Sequence, residues 1–164
     1  MDAKKIAEKA RKSISKFCIE ECKAYCCRKG YLVLTTEEAN LITKGKTKEF
    51  EEKGTLSRIK DKKYSLDLWN TEFSCPSLSK DFKCSIHKNP KRPQACKDFP
   101  LFIDGKTLKI SPRCLAVRCG KLYPYIVKLL KEGYKLSEIN PYADLEVNKM
   151  VIFEKHVQVF EVKK

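Results

Sequence analysis

The hydrophobic pattern opens with a helix. Ile6, Ala7, Ala10, Ile14, Phe17, Cys18, Cys22 and Cys26 recur at intervals of three and four, with Lys and Glu between them. That spacing puts them near one face of a helix predicted over residues 4–27, with Gly30 as its stop. Residues 31–34, Tyr-Leu-Val-Leu, form a short apolar strand. Thr35 caps a second helix, and Glu38 three positions on completes a capping box. Ala39, Leu41 and Ile42 supply that helix's buried side. Residues 44–53 are polar and mixed in charge, which predicts a helix end or loop.

Two strands follow, at 56–59 and 64–69, joined by the turn Lys60-Asp61-Lys62-Lys63. Ser65-Leu66-Asp67-Leu68 alternates with the period of two that a half-buried strand requires. Residues 74–100 hold three cysteines and four prolines and follow neither period. This stretch needs something other than a ladder to order it, and a metal would serve. Leu101-Phe-Ile103 and Leu108-Lys-Ile110, around Asp104-Gly105, give the clearest hairpin signal. Residues 122–131 predict a helix ended by Gly133, and 150–162 fit a strand or a helix equally. With neither repeat nor linker, the pattern predicts one small α+β domain over residues 1–164.

Composition narrows the class. The chain has 164 residues, 42% of them apolar, enough for a core. No apolar run approaches the ~18–20 residues of a membrane span. The N-terminus is charged and lacks the apolar stretch of a signal peptide, which predicts a cytoplasmic protein. Nine cysteines are then many, because cytosolic thiols stay reduced and a dense set points to metal or redox chemistry. An odd number also argues against a closed disulfide framework. The Lys-, Glu- and Ile-rich composition resembles that of hyperthermophiles, which do use intracellular disulfides.

The formal charge is +14. Eight thiolates with two Zn²⁺ would bring it to about +10, so the protein stays basic. Such charge suits an acidic partner such as nucleic acid. No stacking-aromatic motif accompanies it, so a solvated Lys-rich surface is the favoured reading.

The cysteines carry the chemistry. Cys18, Cys22 and Cys26 repeat every four residues and would drift only about 40° per step along a helix. Cys27 would lie about 100° round from Cys26 and face a different centre, unless the helix has ended there. One helix cannot close a tetrahedral site alone, and Cys75, Cys84, Cys96 and Cys114 are available to complete it. An all-sulfur set suits Zn²⁺ or an iron–sulfur cluster. Adjacent Cys26 and Cys27 would be cramped on one zinc, which favours a cluster or two separate centres. How the thiols divide between sites stays open.

Other residues have simpler readings. Arg92-Pro93 and Phe99-Pro100 frame Cys96; the prolines set the local path, and Arg92 either aims Cys96 or offsets thiolate charge. His87 and His156 read as ordinary histidines, and Trp69, Tyr123 and Tyr125 as core. No phosphate-binding glycine loop, Ser–His–Asp set or dinucleotide fingerprint is present.

Cys18–Cys27 with Arg28-Lys-Gly30 and Leu34-Thr-Thr-Glu-Glu38 resembles the opening of the YkgJ-type cysteine-cluster family, described as zinc- or iron-chelating. Cys84-Ser-Ile-His87 and Arg92-Pro-Gln-Ala-Cys96-Lys-Asp-Phe-Pro100 match its second hallmark. The resemblance covers about residues 18–115. It implies Cys18, Cys22, Cys26, Cys27, Cys75, Cys84, Cys96 and Cys114 as metal ligands. This chain has three residues between its first cysteines where the family commonly has two. His87 stands where the family often has an aromatic residue, and Cys119, where a small residue is usual, is the odd ninth.

The expected function is therefore metal binding, with zinc or an iron–sulfur cluster held by cysteines, the metal tying the 74–100 loops to the N-terminal helix. Relatives include a flagellin lysine N-methylase group, so the resemblance also allows an enzyme or accessory in protein modification. Catalysis would need an open metal position or an exposed reactive thiol, for which Cys119 is the candidate. A basic nucleic-acid-binding zinc module is the third reading and would show strongly salt-dependent affinity.

Overall fold

The computed structural model describes residues 2–68 and 74–137. In chain order the elements are α1 (Ala3–Ser13), α2 (Ser15–Glu20), a 3₁₀ turn (Tyr25–Cys27), β1 (Tyr31–Leu34), α3 (Thr36–Ile42), α4 (Thr47–Glu52), β2 (Leu56–Ile59), β3 (Lys63–Asp67), α5 (Gln94–Asp98), β4 (Leu101–Asp104), β5 (Thr107–Ile110), α6 (Leu115–Arg118), α7 (Tyr123–Lys131) and β6 (Lys135–Leu136). The fold class is α+β. The chain packs as two compact units, Met1–Cys22 with Asp98–Lys164, and Lys23–Lys97. Trp69, His156 and the ambiguous 150–162 segment lie outside the described residues. Among the described residues no helix is long and apolar enough to cross a membrane.

In the first unit, Ala3, Ile6, Ala7 and Ala10 of α1 and the following Ile14 are buried, as the helical period requires. They share a core with Leu101 and Leu108 of the β4–β5 hairpin and with Ile126 and Leu129 of α7. The hairpin is antiparallel, with Asp104 opposite Thr107. Its two-residue turn is therefore Gly105-Lys106, and Gly105 takes φ +57°, which glycine adopts without a Cβ clash. β6, which the pattern did not predict, pairs in parallel with β5. Arg11 donates to the carbonyls of Asp98 (3.1 Å) and Leu101 (2.7 Å), holding the start of β4 against α1.

In the second unit β3 lies between β1 and β2, antiparallel to both. Tyr64, Leu66 and Leu68 point one way into the core, the period-two pattern of the sequence. Leu34, Ala39, Ile42 and Leu56 complete that core. Thr35 Oγ1 accepts from the Glu38 N–H, and Glu38 accepts from the Thr35 N–H, which is the expected capping box. Residues 47–52 are helical rather than loop; Phe50, packed on the core, is their one apolar anchor.

The N-terminal helix does not run to Cys27. α2 ends at Glu20, where the N–H groups of Glu21 and Cys22 both bond to the Phe17 carbonyl (3.0 and 2.9 Å). Lys23 and Ala24 then take left-handed backbone angles, φ +54° and +51°. Two successive L-residues in that region cost about 1–2 kcal/mol each. Local contacts offset this: Arg28 Nε donates to the Lys23 carbonyl (2.7 Å), and Lys23 and Arg28 both lie over the Phe82 ring. The predicted stripe of Cys18, Cys22 and Cys26 on one helix face is thus broken. Cys18 and Cys22 belong to the first unit and Cys26 and Cys27 to the second.

This break makes a signed prediction. Ala24→Gly relieves the left-handed strain but loses a buried methyl worth about 0.8 kcal/mol. Urea denaturation should show stability unchanged or raised by up to about 1 kcal/mol. A loss of about 1 kcal/mol, the cost of glycine inside a helix, would mean that the helix continues.

Candidate metal centre

No disulfide joins any of the nine cysteines. In the second unit, hydrogen bonds link the four separate segments that carry Cys27, Cys75, Cys84 and Cys96. Cys27 lies in the 3₁₀ turn, and its carbonyl accepts from the Cys75 N–H (2.8 Å). Three residues on, Leu78 donates to the Cys75 carbonyl (2.8 Å) and forms a bridge with Cys84. The loop between Ser77 and Ser85 is closed by serines. Ser79 Oγ and the Ser79 N–H both donate to the Lys83 carbonyl, while Ser85 donates twice to the Ser77 carbonyl. The hydroxyls thus supply the partners that a ladder would otherwise give this stretch.

Cys96 sits in α5, held by Arg92, whose Nη2 donates to the Cys96 carbonyl (3.0 Å). Arg92 Nη1 meets His87 Nδ1 at 3.1 Å, so the imidazole accepts there and that nitrogen carries no proton. His87 is exposed, and burial followed by the Arg92 and Lys88 charges lowers its pKa, favouring the neutral ring. Arg92 Nε is buried and makes no hydrogen bond. The Gln94 N–H donates to Glu38 (3.2 Å), tying the start of α5 to α3.

Burial dominates the electrostatics of two of these thiols. Burial pushes the Cys75 thiol up to about 12; a hydrogen bond from Ser77 opposes this, and Cys27, Cys96 and Cys84 add to it. Burial likewise pushes Cys96 up to about 12, with Cys27 and Cys84 adding and the Arg92 charge opposing. A cation that binds such protonated thiols must displace their protons.

The first unit holds the other ligand candidates. Cys18 is half-buried in α2 and packs against the core, and Cys22 is buried just beyond it. Cys114 is buried at the N-cap of α6, and Cys119 is exposed at its C-cap. Burial pushes Cys114 up to about 11, N–H groups of Val117 and Ala116 oppose this, and Cys22 and Cys119 add to it.

Among the described residues, no three His, Cys, Asp or Glu side chains stand close enough together to hold a metal ion as they are placed. The donor chemistry nonetheless fits a soft metal: the converging groups are all sulfur. A cationic guanidinium next to Cys96 suits the thiolate charge that a centre would carry.

Arg92→Leu leaves the Cys96 carbonyl without its charged donor. Stability should fall by about 1–3 kcal/mol, measured as a lower urea midpoint. An unchanged midpoint would show that α5 is held otherwise.

Comparison with curated proteins and with solved structures returned no match. A family model described as "Putative zinc- or iron-chelating domain" matches residues 17–115, more than half of the chain. Its segment begins just before Cys18 and ends just after Cys114, so by sequence the chain belongs to the CxxCxxCC family.

Proposed function

We propose that this chain is a cytoplasmic metalloprotein that holds zinc or an iron–sulfur cluster through cysteine thiolates. The observation that supports the reading is the match of residues 17–115 to a zinc- or iron-chelating family, together with the hydrogen bonds that link the segments of Cys27, Cys75, Cys84 and Cys96 within one unit. Cys26 adds a fifth thiol to that unit, while Cys18, Cys22 and Cys114 are candidates in the other.

The bound group would supply a covalent tie between segments that little secondary structure connects. The protein's own hydrogen bonds support this reading. Serine hydroxyls fix the Cys84 loop, Arg92 fixes Cys96, and the Cys27 carbonyl fixes Cys75. Each thiol gives up its proton on binding, so folding and metal uptake are coupled. A closed four-sulfur set serves structure or electron transfer; an open position would admit a substrate.

The test is metal and acid-labile sulfide analysis of protein purified without oxygen. Iron with matching sulfide identifies a cluster, and stoichiometric zinc without sulfide identifies a zinc site. Absence of both, with the cysteines oxidised in pairs, refutes the proposal. Cys84→Ser should lose metal and thermal stability together. Full metal content in that variant would remove Cys84 from the ligand set.

A further inference from the structure

We propose that the unit formed by Met1–Cys22 and Asp98–Lys164 carries a second sulfur-ligated metal centre, built on Cys18, Cys22, Cys114 and Cys119. The inference rests on the metal-binding reading above and deepens it. It brings in Cys119, which lies beyond the family segment ending at residue 115.

Phe17 is the geometric pivot. The Cys22 N–H bonds back to its carbonyl (2.9 Å), which folds the end of α2 over the residue preceding Cys18. Lys121 Nζ lies 4.6 Å from the centre of the Phe17 ring, which brings the turn after Cys119 to the same place. α6 links the two remaining thiols. The Arg118 N–H bonds to the Cys114 carbonyl (3.1 Å), the Cys119 N–H to that of Leu115 (2.9 Å), and the Lys121 N–H to that of Ala116 (2.9 Å). Gly120, at φ +72°, turns the chain back at that point. A helix of four residues is too short to persist on its own hydrogen bonds. A metal held by the residues at its two ends would secure it.

Burial divides the four thiols usefully. Cys22 and Cys114 are 7% and 4% exposed, and Cys18 packs against the core that contains Cys114. Cys119 is exposed. A single buried cysteine reads as a small hydrophobe. Here Cys114, at the N-cap of α6, has the exposed Cys119 at the other end of the same short helix and shares its core with Cys18, four residues before the buried Cys22. The exposed thiol gives an incoming ion its entry. Binding one Zn²⁺ converts four thiols to thiolates, and the four protons pass to solvent. With one centre in each unit, this one has four thiols and the other draws on the five of Cys26, Cys27, Cys75, Cys84 and Cys96.

The experiment uses the full chain, loaded with Zn²⁺ under anaerobic reducing conditions. Metal per chain is measured in the wild type, Cys84→Ser and Cys119→Ser. Alkylation of the native protein is mapped by mass spectrometry before and after chelation. The wild type should hold two zinc ions and each variant one. Cys119, though exposed, should resist alkylation until the metal is removed. Full zinc in Cys119→Ser, or equal alkylation of Cys119 with and without metal, overturns the second centre. A wild type with one zinc ion, lost in Cys84→Ser, also overturns it but leaves the first reading standing. A wild type with none refutes both.

Discussion

The arrangement depends on a left-handed turn at Lys23 and Ala24. Three cysteines spaced for one helix face, Cys18, Cys22 and Cys26, would have delivered their thiols to a single line, with Cys27 beside it. The turn ends that helix after Glu20 and assigns two cysteines to each compact unit. Neither Lys nor Ala favours this conformation, so the surroundings must hold it. They do so through the Arg28 hydrogen bond to the Lys23 carbonyl and through two cations over Phe82. Phe82 belongs to the Ser77–Ser85 loop, so the backbone turn beside Cys26 and Cys27 and the loop that presents Cys84 support each other.

The segment from 74 to 97 shows how a chain without ladders can still be specific. Its backbone groups pair with serine hydroxyls, an arginine fork and nearby carbonyls. These bonds position thiols and contribute only modestly to stability. The hydrophobic clusters of the two units supply most of that. In this division of labour the cores carry the scaffold and the polar segment carries Cys75, Cys84 and Cys96. Burial keeps Cys75, Cys96 and Cys114 protonated when alone, so a thiolate forms there only in company with a cation.

Much of the scaffold was legible because local signals and tertiary packing agree. The capping box at Thr35 and Glu38, the alternation of Tyr64, Leu66 and Leu68, and the hairpin from 101 to 110 all follow from short-range chemistry. The break at Lys23 was not legible. The i, i+4 cysteine spacing continues the helical phase straight through it, and neither Gly nor Pro marks it. α4 was hidden because Phe50 alone anchors an otherwise polar run, and β6 because its two residues gain order only by pairing with β5. The ligand candidates were legible as a set from their residue type. Their division was not, because it depends on a fold reversal that no single segment announces.

The central claim is that sulfur from these cysteines binds a metal. X-ray absorption at the metal edge of the purified holo-protein tests it most directly. The account predicts a first shell made of sulfur alone, four atoms per metal, at about 2.3 Å for zinc, or sulfur with short iron–iron scattering for a cluster. A first shell dominated by nitrogen or oxygen would contradict it, because the converging donors are thiols.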